Sequence, residues 1–194
     1  MEESRNNLFP IFLKAQQLQI LIVGAGNVGE EKLHFLLKSS PDAKVTIVAK
    51  EISSEVRALA KNHDVLLLEK AFQIGHLWGQ DLVIAATNNR AINLDIRNKA
   101  KGKGILVNVA DTPDLCDFYL GGIVTKGDLK VAISTNGKSP TFAKRFRQLL
   151  EEVLPEDIPE MLNNLRTIRD RLKGDFGQKV KQLNDLTAVL IQDK

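Results

Sequence analysis

A single cysteine, Cys116, stands among 194 residues, so no intramolecular disulfide can form, and a reducing, cytoplasmic setting is expected. Aromatic residues are also scarce. Eight Phe, one Tyr and one Trp are too few to suggest a stacking platform for single-stranded nucleic acid, and no nucleic-acid partner is expected. The histidines (His34, His63, His76) are dispersed and share no ligand spacing with Cys116, which argues against a closed zinc site, and no metal is expected. No run approaches the ~18 apolar residues of a membrane span. The opening stretch MEESRNNLFPIFLK carries acids and no long apolar core, so it is not read as a secretory signal. The net charge of +3 is too small to imply a polyanionic partner by itself. Internal repeats and low-complexity tracts are lacking too. What remains is an ordinary globular composition, 43% hydrophobic and 26% charged, long enough for one domain with an appendage.

What is present is alternation. LQILIV (18–23), KVTIVA (44–49), DVLLLE (64–69), DLVIAAT (81–87) and GILVNVA (104–110) are short apolar runs of the kind buried on both faces of a parallel sheet. Helical patterns separate several of them, as in EEKLHFLLKSS and RAINLDIRNKAKG (90–102). This predicts an α/β fold, a Rossmann-type parallel sheet with helices on both faces. Beyond Asp111 the pattern changes. Phe118–Thr125 and Leu129–Thr135 flank a short Gly-containing loop and predict a hairpin. Ser139-Pro140 then offers a helix start, with Phe142, Phe146, Leu149, Leu150 and Val153 on one apolar face and Pro155 as a stop. Two more amphipathic helices follow. The expected organisation is a dinucleotide-binding layer over 1–112, a small α+β dimerisation hairpin and helix over 113–150, and a helical domain over 151–194. A lone hairpin is marginal in water, so a second copy of the chain completing it, a homodimer, is expected.

GAGNVG fits G-x-G-x-x-G at Gly24, Gly26 and Gly29, directly after a strand and opening a helix. In that context Gly24 permits the tight turn, Gly26 the close approach of a pyrophosphate, and Gly29 tight helix packing. The amides near Asn27 and Val28 would face the phosphates. At the end of the second strand Glu51 is placed to accept from a ribose hydroxyl, favouring NAD, whereas Lys50 would suit the 2′-phosphate of NADP. NAD is the expected cofactor, and Thr87, ending the fourth strand, lies on the same edge.

The stretch VNVADTPDLCDF brings Asp111, Asp114 and Asp117 into seven positions. Asp111 falls at the carboxyl end of the fifth strand, where open α/β sheets bind ligands, and is a candidate acid/base or, more simply, a turn cap. Asp114 and Asp117 read as solvated turn residues, and Cys116 as a small buried side chain. Between Lys126 and Arg147 six cations face one acid, Asp128, a local balance of +5 that suits a small polyanionic substrate or a solvated helix face.

Taken in series, FPIFLK, LIVGAGNVGEEK, VIAATNN, VNVADTPDLCDF and VAISTNGKSPTFAKRFRQLLEE resemble the precorrin-2 dehydrogenase family of sirohaem synthesis. The resemblance spans about residues 8–172. It implies oxidation of precorrin-2 to sirohydrochlorin with NAD⁺ as hydride acceptor, Asp111 in catalysis, substrate contacts at Thr135, Lys138 and Ser139, and a homodimer. The stand-alone form without a methyltransferase is expected, with dehydrogenation only. A bifunctional dehydrogenase–ferrochelatase and a non-catalytic NAD(H)-sensing module are the alternatives. Two features depart from the usual family pattern: Gly29-Glu30-Glu31-Lys32 replaces a basic stretch, and Thr135 stands where serine also occurs.

Overall fold

The structure is a computed structural model that describes residues 6–188. Five strands, β1 (Gln19–Val23), β2 (Lys44–Ala49), β3 (Val65–Glu69), β4 (Leu82–Ala85) and β5 (Leu106–Val109), form one parallel sheet in the order β3-β2-β1-β4-β5. Three α-helices accompany them: α1 (Asn27–Ser39), α2 (Ser54–Ala60) and α3 (Arg90–Lys101). The alternation in β1 divides the core. Ile20 and Ile22 pack with Leu33 and Leu37 of α1 and Val56 of α2 on one face. Leu21 and Val23 pack with Ile96 and Ala100 of α3 on the other. Both faces are therefore covered, which is why the central strands read as continuous apolar runs. The crossover from β3 to β4 carries no α-helix. A short 3-10 turn, Ile74–Leu77, covers that part of the sheet by burying Leu77.

The chain divides into two compact units, the first made of residues 6–121 together with 134–139. The second comprises 122–133 and the chain from Pro140 onward. In it β6 (Gly122–Lys126) pairs antiparallel with β7 (Leu129–Ile133) around Gly127-Asp128. Gly127 takes φ +57, and a Cβ there would lie 2.8 Å from the Pro159 ring, so glycine is required on both counts. Three helices follow: α4 (Pro140–Val153), α5 (Ile158–Arg171) and α6 (Phe176–Thr187). The core of this unit is thin, with Val124, Ile133 and Ile158 buried. Among the described residues no helix is long and apolar enough to cross a membrane.

Candidate functional site

Because all five strands run parallel, their carboxyl ends share one edge of the sheet. The strand order reverses between β1 and β4, whose connections leave toward opposite faces and open a crevice at that edge. The glycine turn lies there. Gly24 has φ +110, and its amide donates to the Val48 carbonyl at 2.9 Å. A Cβ on Gly24 would come within 2.4 Å of the Ala86 carbonyl oxygen. One on Gly29 would come within 2.1 Å of the Gly24 carbonyl oxygen. Those two glycines are demanded by the protein itself. Gly26 differs: a Cβ there would meet nothing within 4 Å. The space beside it is open, and it adjoins the first turn of α1, whose leading amides at Asn27, Val28 and Gly29 have no intrahelical acceptors. This fits a dinucleotide pyrophosphate, with the helix dipole adding to the attraction.

Lys50 and Glu51 follow β2 on the same edge, and both are exposed. Ile52, the next residue, is anchored when its amide donates to the Glu69 carboxylate at 3.2 Å. Arg57 also bonds that carboxylate, at 2.6 Å, and these two contacts hold Glu69 below the ordinary carboxyl range, the Arg57 bond contributing most. Thr87 sits two residues past β4, not at its end. Its amide donates to Asn93 Oδ1 (3.1 Å), its hydroxyl lies 2.6 Å from the same oxygen, and its carbonyl accepts from Asn93 Nδ2 (3.0 Å). Asn93 is buried, so α3 clamps the Thr87 peptide at the crevice. Asn93 was not among the residues expected to act there. Its signal is its place on the stripe shared with Ile96 and Ala100, where a polar side chain needs a buried partner.

Asp111 stands two residues past β5, exposed and in a left-handed conformation, φ +56. Among the described residues none hydrogen-bonds its carboxylate. The chain then turns through a 3-10 segment, Pro113–Leu115, and folds back on β5. Asp114 is exposed, as a turn residue should be. Asp117 is likewise exposed as a residue, but its carboxylate is engaged. Its carboxylate accepts from the Val107 amide at 2.9 Å and pairs with Lys101 at 2.7 Å, and its side chain is only 18% exposed. Burial alone would raise this carboxyl's pKa. The Lys101 and Val107 hydrogen bonds, with the charges of Lys101 and Arg97, outweigh burial and hold it below its usual value. Cys116 is half-buried rather than fully buried. Its thiol accepts from the Val109 amide (3.2 Å) and reaches the carbonyls of Val109 (3.2 Å) and Thr112 (3.4 Å). Burial, aided by the Asp117 charge, pushes that thiol up despite the Val109 amide.

Thr135, Lys138 and Ser139 fall in the 134–139 segment that groups with the parallel sheet. Thr135 closes the turn: its carbonyl accepts from the Lys138 amide (3.0 Å) and its hydroxyl from the Ser139 amide (3.2 Å). Asn136 takes φ +53 and Gly137 φ +75, leaving Lys138 exposed at the turn. The +5 segment is less cationic than its count suggests, since Lys126 pairs with Glu156 and Arg147 with Glu151.

Residues 11–122 match a family described as "Putative NAD(P)-binding", and residues 126–152 match the family described as sirohaem biosynthesis protein, central. The siroheme synthase of Vesicomyosocius okutanii is 35% identical over 172 residues, covering 89% of this chain and 36% of that protein. The siroheme synthase of Ruthia magnifica is 34% identical over 170 residues, with 88% and 36% covered. The chain thus spans about a third of the length of these relatives. A solved structure of SirC, precorrin-2 dehydrogenase, superposes with a TM-score of 0.75 at 23% identity, covering 92% of this chain and 89% of that one. It shares the fold.

Proposed function

The chain belongs to the NAD(P)-binding family matched over residues 11–122, and on that footing we propose that it oxidises precorrin-2 to sirohydrochlorin, with NAD⁺ as acceptor. The observation that carries this reading is the placement of Asp111. It lies at the carboxyl edge of β5, one strand from the crevice that Gly24–Gly29 opens, in a chain whose next segment matches a sirohaem biosynthesis family. Similarity to two siroheme synthases and the fold of a precorrin-2 dehydrogenase support the substrate class.

NAD⁺, when bound, supplies the hydride acceptor; the reduced tetrapyrrole loses that hydride and one proton, giving sirohydrochlorin, NADH and H⁺. In this reading Gly26 and the amides of Asn27, Val28 and Gly29 hold the pyrophosphate, Glu51 takes a ribose hydroxyl, and Lys50 stands beside it. Thr87, fixed by Asn93, borders the crevice. Asp111 receives or orients the departing proton, and geometry supplies most of the remaining acceleration. Thr135, Lys138 and Ser139 contact the substrate, whose peripheral carboxylates suit Lys138. The protein works as a homodimer in the cytoplasm. In this reading residues 1–112 form the NAD-binding layer, 113–150 the dimerisation hairpin and helix, and 151–194 a C-terminal helical domain.

The test is anaerobic incubation with precorrin-2 and NAD⁺, following sirohydrochlorin by absorbance. Asp111→Asn should bind NADH normally and lose about 10²-fold or more in turnover, the usual weight of a positioned acid/base. Undiminished turnover would sink the role of Asp111. Cofactor binding by wild type with no conversion of the tetrapyrrole would favour a sensor instead. A lower Michaelis constant for NADP⁺ than for NAD⁺ would transfer the ribose assignment from Glu51 to Lys50.

A further inference from the structure

Nothing among the described residues holds the Asp111 carboxylate directly, so its position is set by the backbone that carries it. That backbone has an unusual anchorage. β5 is the last strand of the sheet, and its backbone groups alternate in direction. The Ala110 amide donates to Ala85 of β4 at 3.0 Å, which turns the groups of Val107 and Val109 toward the open side. An open strand edge normally needs a cover. Here the cover is two adjacent residues from the far end of the Asp111 loop. Val107 donates to the Asp117 carboxylate at 2.9 Å, and its carbonyl accepts from the Asp117 amide at 2.8 Å. Val109 donates to the Cys116 sulfur at 3.2 Å, and its carbonyl lies 3.2 Å from both that thiol and the Thr112 amide. All four outward groups are satisfied. Lys101 of α3 fixes the outer oxygen of Asp117, tying the loop to the helix that also holds Thr87.

We propose that Asp117 and Cys116 form a clasp on the open edge of β5 that positions Asp111 for the reaction. Neither residue touches substrate; both act through Asp111. The loop must hold a non-glycine residue at φ +56, in the left-handed region that side chains disfavour, and the clasp supplies the closure that offsets it. The proposal rests on the acid/base reading of Asp111 and extends it to the residues behind it.

The experiment is a double-mutant cycle on the full chain, with Asp117→Ala and Asp117→Asn made alone and with Asp111→Asn. Three quantities are read: turnover, the NADH dissociation constant, and hydrogen exchange at the Val107 and Val109 amides. Asp117→Ala should speed exchange at Val107, leave NADH binding within about twofold, and lower kcat by roughly 10- to 100-fold, the scale of a small misplacement of a catalytic group. Asp117→Asn keeps an acceptor for Val107 and should recover most of that loss. In the Asp111→Asn background Asp117→Ala should cost nothing further. An equal loss in both backgrounds, or unchanged kcat despite faster exchange, overturns the clasp. Full turnover in Asp111→Asn alone identifies the other failure, that of the reading beneath it. Should Asp117→Ala fail to fold, Cys116→Ala against Cys116→Ser, whose hydroxyl oxygen can still accept from the Val109 amide, is judged by the same criteria.

Discussion

Three glycines in six positions carry three separate demands, and substitution should separate them. Gly24→Ala meets the Ala86 carbonyl at 2.4 Å and must hold φ +110, so it should destabilise the fold by at least the roughly 1–3 kcal/mol of the conformation alone. Gly26→Ala meets no protein atom within 4 Å and should leave stability within about 1 kcal/mol. Its methyl would instead fill the space offered to the pyrophosphate, and NADH affinity should fall by about tenfold or more, equivalent to about 1.4 kcal/mol. Denaturant midpoints and NADH titration distinguish the two; a Gly26→Ala protein with normal affinity would move the phosphate elsewhere. The spacing of these glycines was legible in the sequence because a turn and a helix start impose fixed offsets. The roles of Asn93 and Asp117 were not, since their partners are backbone groups of Thr87 and Val107 that only the folded sheet leaves available.

Among elements, β5 shows how an edge strand becomes part of a site. Its outward amide at Val107 is capped by a carboxylate, which gives the clasp a pH dependence. The folded Asp117 pKa is depressed below its ordinary value of 3.8, so the stability it contributes is present above that value. It is lost as pH falls through the folded pKa. Wild type should therefore lose urea resistance on acidification beyond about pH 4, and Asp117→Asn should show a shallower decline over that window while being less stable near neutrality. Parallel pH slopes for the two proteins would mean that other carboxylates set the acid limit. The strands themselves were readable as runs buried on two faces. The cover over the β3–β4 crossover was not, because a 3-10 turn with one buried leucine leaves no periodicity to detect.

At the scale of the whole molecule, α4 presents Phe146, Leu149 and Val153 along one face, and Val153 remains 64% exposed. Phe142 stacks on Phe146 with ring centroids 5.8 Å apart, extending the stripe. Apolar stripes of this length on a water-facing helix mark association surfaces more often than chance exposure. The unit that owns the helix has a thin core, and a hairpin with three helices gains most from burying such a face against a second copy. The apolar spacing of α4 was plain in the sequence, but which of its faces stays uncovered depends on where β6 packs, and that only the folded unit decides. Leu149→Glu with Val153→Glu adds two charges to the exposed stripe. Sedimentation at micromolar concentration should give a dimer for wild type and a monomer for the double variant, with a dimer dissociation constant raised by about 100-fold or more, as expected for central interface residues. A wild-type monomer under those conditions would end the homodimer reading while leaving the five-stranded sheet, formed within one chain, untouched.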